Sequence, residues 1–352
     1  MLFIIGNGFD IALGLKTSYR DFLNWYLSQT IENEDARITK LKHSIQKDME
    51  GDIDSWADLE AKLGEYTSEY DENEDEHFIV AYRNIKEKLN TYLKSQEGKA
   101  NYKINGPSVS KEVRKFIQSF YSYFPDIPKA ALAKDFSNAQ NKITYDFINF
   151  NYTNILEESL ISGNRVLNER TVNTNRTAYK VQDVIGDVIS IHGKIDNSLL
   201  LGVDNYIQIK NESFRDQTSI KRILLKPHMN NELQQGISEK AVSLINRSNM
   251  ICLFDTSLGN SDTFWWRTIG EWLKSSVAKK IVIFWYSKEK LPAIHADIKL
   301  TVEDNVRMRF MEQSGLSQDE YDELKHRIFV HVHEDIFKSK LTRRTKKPKA
   351  EG

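Results

Sequence analysis

Four short polar loops hold the side chains whose types suit chemistry, and each directly follows an apolar run typical of a buried strand. The loops read Gly6-Asn7-Gly8-Phe9-Asp10, Asn151-Tyr152-Thr153-Asn154, His192-Gly193 and Asp255-Thr256-Ser257-Leu258-Gly259-Asn260-Ser261-Asp262. The carboxyl ends of parallel strands meet at one edge of a sheet, where α/β proteins bind their ligands. We therefore predict that the four loops open onto one shared crevice.

The first loop indicates a phosphate site. The apolar run 2–5 stops at Gly6, Asn7 and Gly8, and helix-forming residues begin at Phe9. A strand, a glycine turn and a helix start together direct free backbone N–H groups at an anion. The third glycine of the dinucleotide fingerprint is missing, so a turn that binds nothing stays open as the alternative.

The third loop supplies a titratable group, His192, and the glycine after it lets a ligand approach closely. A histidine at a strand end can act as a general base, or it can be a satisfied structural residue. Asn151 and Asn154 can orient a water molecule or a ribose hydroxyl, or they can cap the helix that follows. His331 and His333 alternate on one strand without a third ligand, so we expect no metal site.

The elements that must position these loops are strands separated by helical segments. Apolar runs predict strands at 2–5, 142–150, 187–192, 199–202, 248–254, 280–286 and 328–333. Helical spacing predicts helices within 204–248 and over 264–273, whereas the polar stretch 163–180 is typical of an exposed, irregular loop. The alternation indicates an α/β fold with a mostly parallel sheet and helices on both faces.

The gap between the first and second strands is too long for a single crossover helix. Its apolar residues recur at helical spacing, with a loop predicted at Gly98 to Pro107 and a solvated acidic run at Asp71 to Glu76. We therefore predict a nucleotide-binding core at 1–16 and 141–338, a helical cap inserted at 17–140, and a basic disordered tail at 339–352.

The composition narrows the class of protein. In 352 residues, 49 Lys and Arg against 50 Asp and Glu leave no global field that would attract nucleic acid or a membrane. The single cysteine, Cys252, excludes a disulfide framework and a zinc module of paired cysteines. No run reaches the roughly 18 apolar residues of a membrane span, and the apolar start is too short for a signal peptide. We expect a soluble, cytoplasmic protein.

The loops and the segments between them resemble the abortive infection protein AbiH family of bacterial phage defence. The shared motifs are, in chain order, Gly6-Asn7-Gly8-Phe9-Asp10, Gly14-Leu15-Lys16-Thr17-Ser18-Tyr19, Asp21-Phe22, Trp56-x-Asp58-Leu59-Glu60, Asn149-Phe150-Asn151-Tyr152-Thr153-Asn154, Ile191-His192-Gly193 and Ser257-Leu258-Gly259-x-x-Asp262. The resemblance implies a bacterial anti-phage effector that acts by abortive infection.

The same loops are also similar to the nucleotide site of sirtuins, which implies a sirtuin-like, Rossmann-type fold. Sirtuins carry Gly-Ala-Gly, Asn-Ile-Asp, His-Gly and Gly-Thr-Ser at the positions of Gly6-Asn7-Gly8, Asn151-Tyr152-Thr153, His192-Gly193 and Thr256-Ser257-Leu258. Thr153 replaces an aspartate, Asp255 replaces a glycine, and the zinc-binding cysteines are missing. These departures argue against a peptide deacetylase.

This second resemblance implies NAD as the ligand or substrate, cleaved to nicotinamide and ADP-ribose with no metal. His192 would be the general base, and Asn151 would position water or a ribose hydroxyl. The cofactor-binding residues that the resemblance implies are Gly6, Asn7, Gly8, Phe9, Asp10, Thr153, Asn154, Gly193, Thr256, Ser257 and Asp262. Asp10 and Asp262 can instead be helix caps.

Two other classes of function stay open. A regulatory module can sense a nucleotide without turning it over, and a nuclease is disfavoured by the balanced charge and the absent carboxylate–metal spacing. The partners expected are NAD or a related nucleotide, a phage-derived trigger or partner protein, and further copies in a homo-oligomer. Neither a membrane nor nucleic acid is expected as a partner.

Overall fold

The structure is a computed structural model that describes residues 1–29, 32–51, 58–104, 107–161, 164–173, 177–197, 199–232, 236–287, 296–334 and 336–337. The predicted basic tail at 339–352 lies outside these residues. None of the helices described is long and apolar enough to cross a membrane.

One seven-stranded sheet organises the described part of the chain. Its strands are β1 (Leu2–Ile5), β2 (Thr144–Asn149), β3 (Val166–Asn173), β4 (Ala178–Ser190), β5 (Met250–Phe254), β6 (Lys280–Tyr286) and β7 (Ile328–His333). They lie in the order β3-β4-β2-β1-β5-β6-β7, and every neighbouring pair is parallel except β3 and β4. The predicted α/β class with a mostly parallel sheet is confirmed.

The strand order places the ligand crevice. Without β3, the six parallel strands follow the order of a doubly wound sheet, in which the third, second and first strands precede the fourth, fifth and sixth. The order reverses beside β1, whose neighbours are β2 on one side and β5 on the other. A crevice is therefore expected where the loops after β1, β2 and β5 diverge.

Helices fill most of the remaining described residues. They are α1 (Gly8–Ala12), α2 (Tyr19–Ser28), α3 (Ala36–Gly51), α4 (Leu59–Tyr66), α5 (Asp75–Ile104), α6 (Pro107–Ser119), α7 (Asp126–Ser137), α8 (Ile155–Ile161), α9 (Glu212–Arg215), α10 (Thr218–Leu224), α11 (Lys226–Glu232), α12 (Ile237–Arg247), α13 (Thr263–Lys274), α14 (Ala296–Ser314) and α15 (Gln318–Leu324). Within the described residues from 17 to 140 no strand occurs, as the helical spacing predicts.

Both faces of the sheet are covered, because side chains alternate along each buried strand. Phe3 and Ile5 of β1 pack in one core with α6, α7 and α8, whereas Leu2 and Ile4 pack in another with α12 to α15. The Phe3 ring stacks on Phe147 of β2 at 5.5 Å between centroids. Burying one such side chain contributes about 1.5–3 kcal/mol, so β1 is anchored from both sides.

A third core lies at the carboxyl edge of the sheet. It joins α2, α4 and α5 to the segment 195–225, and Tyr152, which follows β2, belongs to it. The Tyr82 hydroxyl of α5 donates to the Leu201 carbonyl oxygen at 2.6 Å. Within the predicted cap, α2 to α5 thus sit over the edge, while α6 and α7 pack on a sheet face. The predicted domain boundaries stay a prediction.

The stretch 163–180 was expected to be an irregular loop, and this is wrong. Its described residues form β3 and the start of β4, an antiparallel hairpin that extends the sheet. Leu167 and Val172 are buried, but a register shift between Val166 and Asn168 breaks the alternation that marks a strand. An ion pair between Arg170 and Asp183 at 2.9 Å holds the hairpin in place of a larger apolar face.

Three further boundaries differ from expectation. β4 begins at Ala178 and ends at Ser190, so His192 follows the strand instead of ending it. The stretch 199–202 is not a strand, because Leu199 and Leu201 pack in the helical core at the edge. The loop predicted from Gly98 is also wrong at its start, since α5 continues to Ile104.

Candidate functional site

The four polar loops meet at one edge of the sheet, as predicted. The strands β1, β2, β4 and β5 are parallel and end at this edge. The Asn151 side-chain amide donates to the Gly6 carbonyl oxygen at 3.1 Å, and the Gly8 N–H donates to the Asp255 carbonyl oxygen at 3.4 Å. These bonds tie the first loop to the second and to the fourth.

The glycine turn is packed tightly against the fourth loop. A Cβ atom at Gly6 would lie 2.2 Å from the Asp255 carbonyl oxygen, and one at Gly8 would lie 2.2 Å from the Asp255 Cβ. The N–H groups of Gly6, Gly8 and Phe9 donate to carbonyl oxygens of Phe254, Asp255 and Gly6. Glycine is therefore needed for close backbone approach, and three N–H groups of the turn already have carbonyl partners. That the turn holds a diphosphate stays a prediction.

Two other residues of the first loop have structural partners. The Asn7 side chain donates to the Thr17 carbonyl oxygen and accepts from the Thr17 hydroxyl, both at 2.8 Å, so it ties the turn to the start of α2. Phe9 is buried in the sheet core, with its ring 5.8 Å from that of Phe337. Neither side chain offers an unused polar group to a ligand.

Two buried side-chain oxygen atoms in these loops have no hydrogen-bond partner. Asn151 donates to Asn149 at 3.0 Å and to Gly6, but its own Oδ1 is buried without a hydrogen-bond partner. Asp10 accepts from the Thr153 hydroxyl at 2.7 Å through Oδ2, and its Oδ1 also has no partner. Burial raises the pKa of Asp10 to about 7. Such acceptors call for a donor group from a ligand or water.

The third and fourth loops are joined by a buried, hydrogen-bonded pair of side chains. The Nε2 atom of His192 lies 2.9 Å from Oδ1 of Asp262, and the two residues are 6% and 8% exposed. Burial alone would raise the pKa of Asp262, but the charge of Lys226 and the hydrogen bonds from both neighbours lower it well below its ordinary value. An ionised carboxylate only accepts, so we assign a proton to Nε2 of His192.

Lys226, at the start of α11, places its positively charged ammonium group beside this pair. Its Nζ lies 3.1 Å from Oδ1 of Asp262 and 3.5 Å from Nε2 of His192, and it forms an ion pair with Glu60 of α4. Burial would lower the pKa of Lys226, but Asp262, Glu60 and Asp204 together raise it. The ammonium group therefore stays charged in a nearly solvent-free site.

Two tyrosines extend the network toward the helical segment. The hydroxyls of Tyr152 and Tyr19 donate to Oε1 of Glu60 at 2.5 and 2.9 Å. Burial and the Glu60 charge raise the pKa values of both phenols well above their ordinary value, so both remain donors. The network thus connects α2 and α4 to the loop after β2.

Several carboxyl groups lie near the single positive charge of Lys226. Asp58 caps α4 by accepting from the Ala61 N–H and also accepts from Ser261, and Asp204 accepts from the Phe264 N–H at 3.2 Å. Burial raises the pKa of Asp204 to about 7, and burial together with the nearby Glu60 raises that of Asp58. The surplus of acidic groups makes the cluster favour a positive charge.

A divalent metal could use three of these groups, since ligand atoms of Glu60, His192 and Asp262 lie within 4.8 Å of one another. The Lys226 ammonium lies among the same atoms and supplies the positive charge that a metal would bring. A metal would have to displace Lys226, so the residues present fit an internal cation better than a metal ion.

The fourth loop has an unusual backbone. Asp255 and Leu258 both have φ +48°, a left-handed conformation that costs about 1–3 kcal/mol in residues other than glycine. Thr256 is buried, and its hydroxyl has no hydrogen-bond partner, whereas Ser257 is exposed. Of the two predicted ligand-binding hydroxyls, only that of Ser257 is open to solvent.

The remaining predicted residues shape the backbone. Gly193 takes φ +72° just after His192, and the Asn154 N–H donates to Oε1 of Glu97 at 2.6 Å where α8 begins. The structure places both in the loops at the edge. Their role toward a ligand stays a prediction.

Sequence reasoning missed Glu60, Lys226 and Tyr19 as members of the site. Glu60 and Tyr19 do stand in the motifs Trp56-x-Asp58-Leu59-Glu60 and Gly14-Leu15-Lys16-Thr17-Ser18-Tyr19, which was the one signal available. Lys226 lies in a stretch of charged helical sequence, where a lysine is typical of a solvated surface.

Comparison with models of known protein families gives a match. The model of the family described as "Bacteriophage abortive infection AbiH" matches residues 2–285, which include all four loops. No curated protein sequence matches the chain.

Proposed function

Because the chain belongs to the bacteriophage abortive infection AbiH family, we propose that it is an anti-phage effector that binds NAD at this sheet edge and hydrolyses it to nicotinamide and ADP-ribose. The observation that carries the proposal is the buried His192–Asp262 pair, which lies where the four loops meet. Buried titratable groups with a specific charge partner are typical of functional sites.

The chemistry demands little of the protein. The bond between the ribose carbon and the positively charged nicotinamide breaks, and its electron pair leaves with nicotinamide as a neutral molecule, so no general acid is needed. Water attacks the ribose carbon and gives its proton to Nδ1 of His192. This general-base role typically contributes about 10²–10⁴ in rate.

The acidic groups around Lys226 suit the charge that develops. Positive charge builds on the ribose as the bond breaks, and fixed negative groups in a water-poor site stabilise it. Glu60 and Asp262 alone exceed the single charge of Lys226, and Asp58 and Asp204 lie beside them. The same surplus favours binding of the cationic nicotinamide ring.

The unpartnered acceptors suit a ribose. Oδ1 of Asn151 and Oδ1 of Asp10 can each accept from a ribose hydroxyl or from the attacking water. Since the N–H groups of Gly6, Gly8 and Phe9 have carbonyl partners, we assign phosphate or adenosine-ribose contacts to the hydroxyls of Thr256 and Ser257. The sirtuin-like fold is part of this proposal, and the left-handed φ of Asp255, where sirtuins carry glycine, supports it.

Location and partners complete the proposal. We infer that the chain acts in the cytoplasm, where NAD is present. We also infer that a phage-derived trigger or partner protein activates it and that it works as a homo-oligomer. Balanced charge supports a small nucleotide ligand over nucleic acid.

A nucleotide sensor is the second candidate function. Tyr19 of α2 and Glu60 of α4 belong to the same hydrogen-bonded network as His192, so a ligand at the edge contacts groups anchored in the helical segment. That arrangement favours relay of ligand binding to the helices, with or without turnover.

The direct test is incubation of purified protein with NAD and chromatographic measurement of nicotinamide. We expect release by the wild type and loss of release in His192→Ala, with thermal melting to show that the variant folds. If NAD raises the melting temperature without any release of nicotinamide, in the presence of a phage lysate as well, the sensor becomes the better account. If NAD neither binds nor is cleaved, both candidates fail.

A further inference from the structure

The Lys226 ammonium is the only full positive charge that the described part of the chain places between two buried carboxylates of the site. Its Nζ pairs with Glu60 on one side and lies 3.1 Å from Asp262 on the other. Lys226 and Glu60 are 5% and 2% exposed, so water screens these charges poorly. The number of protons in this cluster is therefore set by the protein groups themselves.

The charges around His192 determine whether its ring is neutral or doubly protonated. Nζ of Lys226 lies 3.5 Å from Nε2 of His192, and a like charge at this distance disfavours a second proton on the ring. Without the ammonium group, the two buried carboxylates would have no positive charge beside them. His192 would then be the nearest group able to become positively charged. An unpaired buried charge is strongly unfavourable, so a proton would be taken up on the ring.

We propose that Lys226 is a positioning residue that keeps His192 neutral, with its proton on Nε2 and its lone pair on Nδ1. Lys226 does so by supplying the positive charge that Glu60 and Asp262 require. A doubly protonated ring has no lone pair and cannot accept a proton from water. The general-base role of His192 therefore depends on a residue of α11 that need not touch the substrate.

The other groups that face the cluster add hydrogen bonds and negative charge. Tyr19 and Tyr152 hold Oε1 of Glu60 through neutral phenols, which adds hydrogen bonds without adding charge. Asp58 and Asp204 add further negative potential from α4 and from the segment before α9. Removal of Lys226 thus leaves a cluster with an even stronger demand for a cation.

The inference rests on the proposed function only in naming His192 the base, and its test needs no NAD. We label the histidines with ¹⁵N, assign the His192 ring nitrogens by the signals lost in His192→Gln, and record spectra from pH 6 to pH 9. Wild-type protein should carry one proton on Nε2 at pH 7.5. In Lys226→Met the His192 ring should carry a proton on both nitrogens at pH 7.5.

Lys226→Arg is the matched control, because it keeps the charge and changes the shape. It should show the neutral ring of the wild type. A wild-type ring that is doubly protonated at pH 7.5, or that carries its single proton on Nδ1, overturns the proposal. So does a folded Lys226→Met protein whose His192 matches the wild type. If Lys226→Met does not fold, Lys226→Gln, which is polar but uncharged, takes its place with the same expected outcome.

Activity gives a separate readout. Where nicotinamide release is measured, Lys226→Met should lose rate at pH 7.5 and regain it as the pH rises, with KM changing less than kcat. A merely structural role would lower the rate equally at all pH values. A wild type with the expected His192 state but no nicotinamide release would refute the proposed function and leave the role of Lys226 standing.

Discussion

Two buried histidine–aspartate pairs lie at the same edge of the sheet, and they differ in their surroundings. His192 with Asp262 and His333 with Asp255 each have an Nε2–Oδ1 distance of 2.9 Å. The first pair adjoins the charged group of Lys226, whereas the ring of His333 stacks on Phe254 at 5.6 Å and lies 6.3 Å from Phe284. The distance alone does not distinguish them.

The second pair serves the backbone. His333 binds the side chain of Asp255, whose φ is +48° and whose carbonyl oxygen accepts from the Gly8 N–H. It therefore holds the fourth loop in a strained conformation against the glycine turn. The comparison teaches that a buried histidine–carboxylate pair becomes a candidate for catalysis when further charged groups adjoin it, as Lys226 adjoins the first pair.

The two pairs should differ most in how loss of their histidines changes the rate of nicotinamide release. We expect His192→Ala to lower nicotinamide release by about 10²–10⁴, because the general base is lost. His333→Ala should lower the melting temperature but leave the rate per folded molecule within a few-fold of wild type. Equal losses of rate in the two variants, at matched folded fractions, would break the comparison.

The contact between Gly8 and Asp255 should show mainly in stability. Gly8→Val places a Cβ atom 2.2 Å from the Asp255 Cβ, and such overpacking typically costs about 1–3 kcal/mol. Gly98→Ala is the matched control, since nothing lies within 4 Å of its Cβ position in α5, and it should stabilise by up to about 1 kcal/mol. Denaturant unfolding measures both, and an unchanged midpoint for Gly8→Val would contradict the packing described.

The burial of an acidic group beside the first pair should show as a pH dependence of stability. Burial raises the pKa of Asp204 to about 7 from an ordinary value of 3.8. Between these values the unfolded chain binds fewer protons than the folded chain, so the free energy of unfolding falls as the pH rises. Asp204→Asn removes that loss. The free energy of unfolding of the variant relative to wild type should therefore rise by about 1 kcal/mol or more between pH 5 and pH 8. Thermal melts of both proteins at the two pH values check this, and a constant difference would contradict the raised pKa of the buried Asp204.

Much of the fold could be predicted because its strands are buried. Apolar runs such as 2–5 and 248–254 mark strands that both faces of the sheet cover, and they read clearly in sequence. The hairpin of β3 and β4 could not be predicted in the same way. It is held by Arg170 and Asp183 and by edge pairing, and its apolar residues are too few to show alternation.

The site could be predicted only where local sequence defines it. His192 and Asp262 follow strands that end at one edge, so their loops could be placed together. Glu60 and Lys226 reach that edge from helices, and each looks like a surface charge in its own segment. Only long-range packing brings Glu60 to Tyr152 and Lys226 to Asp262, and no spacing rule within one element encodes such contacts.

The most direct test of the central claim is cellular NAD during infection. Cells that express the wild-type chain, His192→Ala or His333→Ala are infected with a phage against which the wild type protects, and NAD is measured over time. We predict that NAD collapses in wild-type and His333→Ala cells and persists in His192→Ala cells, which lose protection. If NAD persists in protected wild-type cells, and His192→Ala still protects, the site does not act by cleaving NAD.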